Sequence, residues 1–202
     1  MEVKLIAANS YMPLDFIGSI AGICYGKDDS SKKRAIRCFK NGHMSVFEHL
    51  VFTWRINDIS RACSHQLVRH RIASYTQQSQ RYTKTTGDDW YVIPPEINEE
   101  KKELFCNALD STVNTYETLL KMGIKPEDAR FALPEATKTN LFVTMNAREF
   151  THFYELRSSK HAQWEIRELA GKMIDEIRLC NDSMKEFVEM IEEGIHENNY
   201  RR

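Results

Sequence analysis

The chain has no hydrophobic run long enough to cross a bilayer, and its first residues, MEVKLIAAN, lack the basic head and apolar stretch of a signal peptide. Cysteine is sparse: Cys24, Cys38, Cys63, Cys106 and Cys180 are far apart, odd in number, and form no CxxC pair. That pattern argues against a disulfide framework or a zinc knot and predicts reduced thiols in a cytoplasmic protein. Neither sign of charge dominates. With a formal net charge of −1 there is no global basic field to attract nucleic acid, so an anionic ligand would have to be met by a local cluster of cations. No repeat, low-complexity tract or Pro/Gly/Ser-rich linker divides the 202 residues. A hydrophobic content of 42% with 28% charged residues is then enough for one globular domain, 1–202, with a buried core.

The periodicities predict a helix-rich chain with a few strands. A strand is expected over Val3–Ala7, a helix over Pro13–Cys24, and a second helix from Ser30 or Ser31 to a glycine stop at Gly42. Phe47–Ile56, rich in aromatic and β-branched residues, reads as a strand. Asp58 is placed to cap the next helix, with Ile59, Ala62, Cys63 and Leu67 as its apolar stripe and Arg61, His65, Gln66 and Arg69 on other faces. A polar stretch, Ser74–Arg81, and a short strand near Trp90–Ile93 follow. The clearest helix is Glu99–Met122, capped by Asn98, stopped by Gly123, and striped by Leu104, Phe105, Ala108, Leu109, Val113, Tyr116, Leu119 and Leu120. A short helix opens at Pro126 and must stop near Pro134. Leu141–Met145 is a further strand. Asn146, with Glu149 three residues on, makes a capping-box-like start to a helix reaching Arg157. The remainder, from His161 to about Glu193, reads as helix, with Ile166, Leu169, Ala170, Met173, Ile174 and Ile177 on one face. The class is α+β: a helix-rich single domain with a small, mainly antiparallel sheet.

Three constellations carry candidate chemistry. The first is Arg69-His70-Arg71 followed by Ser74, Thr76, Gln77, Gln78, Ser79, Gln80, Arg81 and Tyr82, with no Lys or acid between Arg69 and Arg81. Guanidinium groups bind phosphate through paired, charge-assisted hydrogen bonds, and side-chain amides match the mixed donor–acceptor edge of a heterocycle. The second is Asn146-Ala147-Arg148, then Arg157 and His161–Arg167. If Asn146 caps a helix, the free amides beside it form an anion site that Arg148 strengthens. The third, Asn41–His49, carries His and Glu residues, but without the tight spacing of metal ligands, and no metal is expected. No cysteine or serine stands beside a base in the manner of a nucleophile pair. A nucleic-acid-binding module built on Arg69–Tyr82 and the Tyr200-Arg201-Arg202 tail remains a competing reading.

RHRIASYTQQS (Arg69–Ser79) resembles the signature of the flavin-dependent thymidylate synthases, RHR followed by seven residues and a Ser. GHMSVFEH (Gly42–His49), Ala129-Arg130 before Leu133-Pro134, and NAREFTHFYELRSSKHAQWEIR (Asn146–Arg167) resemble further segments of that family in the same order. The resemblance implies reductive methylation of dUMP to dTMP, with methylenetetrahydrofolate as carbon donor and NADPH-reduced FAD as hydride source, and without an enzymic thiol nucleophile. By matching position it implies that Gln66, Arg69, Gln77, Gln78, Ser79, Gln80, Arg81, Arg130 and Arg157 hold dUMP. Arg157 is then the catalytic cation that favours the ionised uracil ring. Ser45, Arg69, His70, Arg71, Gln77, Asn146, Arg148 and His152 would line FAD. Some family members carry Glu where Gln77 stands and Asn where His152 stands, so Gln77 is given no acid–base role. The family is a homotetramer with sites shared between subunits, an arrangement suited to a 202-residue chain that must enclose three ligands. No nucleic-acid or membrane partner is implied.

Overall fold

The computed structural model describes residues 1–83 and 89–199. Tyr200, Arg201 and Arg202, the tail of the nucleic-acid reading, lie outside them. In chain order the elements are β1 (Glu2–Ala8), α1 (Pro13–Ile23), α2 (Lys32–Lys40), a 3-10 turn (Met44–His49), β2 (Val51–Ser60), α3 (Arg61–Leu67), β3 (Ala73–Gln77), α4 (Glu99–Lys121), α5 (Pro126–Ala129), a second 3-10 turn (Arg130–Ala132), β4 (Lys138–Asn146), α6 (Ala147–Arg157), α7 (Trp164–Arg178) and α8 (Asp182–Asn199). The class is α+β, as the periodicities predict.

The strands form one sheet in the order β1-β2-β4-β3, and every neighbouring pair is antiparallel. Alternation along β2 and β4 decides which face is buried. Phe52, Trp54 and Ile56 on β2 and Leu141, Val143 and Met145 on β4 point into the core, while Arg55 and Phe142 point out. The helices cover the inward face: Phe150 and Phe153 of α6, Ile166, Leu169, Met173 and Ile177 of α7, and Met184, Phe187 and Val188 of α8 are all buried in the same cluster. At its centre Trp54 stacks on Phe150, ring centroids 5.0 Å apart, and its indole N–H donates to the Met173 carbonyl at 3.2 Å.

Several boundaries differ from the sequence expectation, each for a local reason. Residues 44–49 form a tight turn that buries Phe47, so the strand begins at Val51 rather than Phe47. It then runs on to Ser60, so Asp58 and Ile59 belong to the strand. Asp58 sits at a bulge between Ile56 and Ile59 with φ 59°, and its N–H donates to Asn140 Oδ1. Ser60 is the residue that caps α3, its Oγ accepting from the Cys63 N–H at 3.0 Å. The helix ends at Leu67, before Arg69. The polar stretch Ser74–Arg81 contains the edge strand β3, whereas Trp90–Ile93 contributes only a Tyr91–Thr137 bridge. The last third is two helices: Gln163 caps the first, and Asn181 starts the second by accepting from the Met184 N–H. On α4, Leu109 and Tyr116 are buried but Leu104 is exposed, so the buried stripe is narrower than the predicted one. Gly42 (φ 72°) and Gly123 (φ 86°) end α2 and α4 in the left-handed region, as their positions predict.

Candidate active site

The end of α3, the strand β3 and the helix α6 meet around His70. Its side chain is buried, and its ring packs edge-on against Phe153 with centroids 5.0 Å apart. Arg157 donates from Nε to His70 Nε2 at 3.0 Å and from an NH2 group to the Gln66 carbonyl at 3.5 Å. On the ring's other side, Nδ1 lies 3.3 Å from Glu149 Oε1, also buried. The Tyr75 hydroxyl, 2.9 and 2.7 Å from the Leu67 and His70 carbonyls, ties β3 to this turn. The segment Gln66–His70 is thereby fixed from both sides.

The electrostatics follow from this packing. Burial, reinforced by the nearby Arg157 and His152, pushes the His70 pKa down from 6.5 to about 4. The imidazole is neutral at pH 7, so its 3.3 Å contact with Glu149 is not an ion pair. Burial also raises the Glu149 carboxyl above its ordinary value. The unfolded chain protonates its histidine near 6.5 and the folded one only near 4. Stability contributed above pH 6.5 is therefore lost as the pH falls towards 4, by at most about 3 kcal/mol. Urea unfolding at pH 7 and pH 5 tests this: the loss between the two should be smaller in a His70→Asn variant. An identical loss in both proteins would remove His70 as its source.

From the end of β3 onward lie the remaining residues of the Arg69–Tyr82 constellation. The Gln77 amide donates to Ser64 Oγ at 2.9 Å and Thr139 Oγ1 at 3.2 Å, which locks it in place. The Gln78 N–H donates to the Asn140 carbonyl, and the Gln78 carbonyl accepts from Arg61 at 2.8 Å. Ser79 Oγ accepts from the Arg81 N–H, and the Ser79 carbonyl accepts from Thr83. Arg81 pairs with Glu127 at 2.9 Å, and Arg130 Nε donates to the Glu127 carbonyl at 3.1 Å. Gln80 is half-buried in the same turn. The Arg69 and Arg71 guanidinium groups are exposed and, among the described residues, unpaired.

Sequence reasoning gave no site role to Arg61, Glu127, Glu48 or Glu149. Arg61 holds the Gln78–Arg81 turn, and burial together with the nearby Arg130 cation lowers its pKa. A cation at the first position of a helix is unfavourable to the dipole, and that was a legible signal of a special role. The three glutamates are partners in space of Arg81, Arg148 and His70, and nothing in their spacing along the chain marks them.

A cavity of about 910 Å³ opens beside the start of α6, lined among others by Met44, Glu48, Ile72, Asn146, Arg148 and His152. Asn146 is the N-cap expected of it, its Oδ1 accepting from the Glu149 N–H at 2.9 Å, so α6 presents its amide end there. Arg148 pairs with Glu48 at 2.5 Å, and both are about half exposed. Of the residues expected along the flavin, Asn146, Arg148 and His152 line the cavity; Ser45, Arg69, His70, Arg71 and Gln77 do not. His70 is set behind it, with its ring 6.0 Å from that of His152. The far wall, on α8, carries Glu186, Glu189 and Glu193, of which Glu186 pairs with Lys32, and Lys40 of α2 also lines the cavity.

Guanidinium groups along one sheet edge, joined to a large cavity at a helix N-terminus, define a protein suited to phosphorylated ligands that bear rings. Residues 4–199 match the family described as thymidylate synthase complementing protein. The chain is 48% identical over 155 residues to the flavin-dependent thymidylate synthase of Pyrococcus abyssi, covering 74% of this chain and 64% of that one. To the enzyme of Geobacter sulfurreducens it is 52% identical over 136 residues, covering 66% of this chain and 59% of that one. The matches thus span about three-fifths of these relatives' lengths. The crystal structure of the Helicobacter pylori flavin-dependent thymidylate synthase complexed with FAD and dUMP superposes with a TM-score of 0.72 at 28% identity, over 87% of this chain and 93% of that one. The chain belongs to the flavin-dependent thymidylate synthase family.

Proposed function

We propose that the protein methylates dUMP to dTMP, taking a methylene from methylenetetrahydrofolate and a hydride from FAD that NADPH has reduced. The observation that carries this reading is the Arg157 guanidinium, held by His70 and the Gln66 carbonyl where α3, β3 and α6 meet. A fixed cation there suits a ring that must lose a proton before it accepts carbon, because charge developing beside a preorganised donor is stabilised without reorganisation.

In this reading Arg69, Arg81 and Arg130 bind the dUMP phosphate, and Ser79 and the backbone of Gln78–Gln80 orient it. Binding displaces Arg81 from Glu127, a part-exposed pair that costs little to break. Asn146, Arg148 and His152 hold FAD at the cavity, with Ser45, Arg69, His70 and Arg71 completing its surroundings, and Gln77 stands between the two ligands. FAD supplies the hydride when bound and reduced. Cys63, the one buried cysteine, is held protonated mainly by desolvation, which suits a route without a thiol nucleophile. The exposed, unpaired Arg69 and Arg71 accord with a homotetramer of single-domain, cytoplasmic subunits whose sites are completed across interfaces. Family membership disfavours the nucleic-acid reading.

The visible absorption spectrum of purified protein, recorded before and after adding FAD and then dUMP, tests this. Flavin bands that shift on adding dUMP are the expected result. Failure to take up FAD, together with no response to dUMP, would defeat the reading.

A further inference from the structure

His70 is the hinge of a three-member chain whose protonation the geometry dictates. Arg157 Nε carries a hydrogen and is only ever a donor, so at 3.0 Å His70 Nε2 must offer a lone pair. A ring proton on that nitrogen would set two donors against each other. The single proton of the neutral imidazole therefore resides on Nδ1, and Glu149 Oε1 lies 3.3 Å from that nitrogen. Both side chains are buried, 4% and 8% exposed, so the contact is largely shielded from solvent. The edge-on contact with Phe153 fixes the plane of the ring.

Glu149 lines the large cavity as well as facing His70. Its N–H is satisfied by the Asn146 cap, but its carboxylate does not reach back to complete a capping box; it turns to His70 instead. Glu149 and Arg157 lie eight residues apart on α6, about 12 Å along the axis. They therefore do not pair directly, and His70, arriving from the end of α3, spans the gap.

We propose that Glu149 is a positioning residue: by holding His70 in its Nδ1-protonated form it makes Nε2 a fixed acceptor that aims the Arg157 guanidinium at the substrate ring. The aim at substrate rests on the proposed function; the Glu149–His70–Arg157 chain does not, and the test separates the two. In 15N-labelled protein without ligands, long-range 1H–15N correlations report which ring nitrogen of His70 carries the proton. The wild type should show Nδ1, and Glu149→Gln, which keeps an acceptor oxygen, should show the same. Glu149→Leu should shift His70 towards the Nε2-protonated form. Its kcat for dUMP methylation should fall roughly 10- to 100-fold, the usual cost of removing the partner that orients a working imidazole. Glu149→Gln should recover most of the rate.

A wild-type His70 protonated on Nε2 would overturn the proposal even if Glu149→Leu fails to fold. So would a Glu149→Gln variant that keeps the wild-type tautomer yet loses as much rate as Glu149→Leu. If instead the wild type binds neither FAD nor dUMP while His70 shows the Nδ1 proton, the fault lies with the functional reading and the hydrogen-bonded chain stands.

Discussion

Replacing Arg157 with Leu should lower dTMP formation by about 10²- to 10³-fold, the range seen when one preorganised donor to a developing charge is removed. NADPH oxidation by the flavin should stay close to the wild-type rate, because the FAD cavity is lined by Asn146, Arg148 and His152 and not by Arg157. The fold should tolerate the change. Arg157 ends α6 and is only half-buried, so its loss costs the helix a favourable terminal cation, roughly 0.3–1 kcal/mol. Lysine should not rescue it, since one ammonium cannot reproduce a planar fork that bonds His70 with one edge and the Gln66 carbonyl with another. Product chromatography and NADPH absorbance, measured on the same samples, separate the two activities. Equal loss of both would mean that Arg157 serves flavin binding, and intact methylation would remove it from the chemistry.

The second large effect concerns stability. Phe150→Ala should destabilise the protein by about 3–5 kcal/mol, since it removes a large ring from a fully buried site with little room to collapse. The ring stacks on Trp54, meets Phe52 edge-on at 6.1 Å and packs against Phe153 and Tyr154, each at 6.3 Å, so the loss is shared among four aromatic neighbours. The ring also anchors α6 on the sheet through Phe52 and Trp54 of β2. The variant should therefore lose melting temperature by about 10 °C, taking roughly 2–4 °C per kcal/mol for a chain of this size. Phe142→Ala on the outward face of β4 is the control, expected to change stability by less than about 0.5 kcal/mol. Comparable losses in the two variants would mean that the outward sheet face is as tightly covered as the core, which points to a subunit interface there.

How far the sequence could be read depended on how local the cause was. The Asn146 cap, the glycine stops at Gly42 and Gly123, and the face of α7 carrying Ile166, Leu169, Met173 and Ile177 each arise within a turn or two of chain, and the structure has them as read. The readings that failed have non-local causes. Asp58 has the chemistry of a helix cap, but pairing with β4 carried β2 two residues past it and left Ser60 to cap α3. Ser74–Arg81 read only as a polar stretch with no element assigned, and pairing with the edge of β4 made Ala73–Gln77 the strand β3. Leu104 fits a helical stripe within its own helix, but no other element covers it.

The residues of the candidate site divide in the same way. Sequence alone determined which residue types are present, their order along the chain and the family they belong to, because clusters such as Arg69-His70-Arg71 and Asn146-Ala147-Arg148 are contiguous. Only the tertiary structure decided their states. It paired Arg148 with Glu48, Arg81 with Glu127, and His70 with both Glu149 and Arg157, partners separated by 100, 46, 79 and 87 positions. It also buried His70 and exposed Arg69 and Arg71 on either side of it. A residue's charge and aim follow from burial and from the donor or acceptor facing it. Those are properties of the packed chain: neighbouring residues in the sequence can meet entirely different surroundings once the sheet and helices have closed.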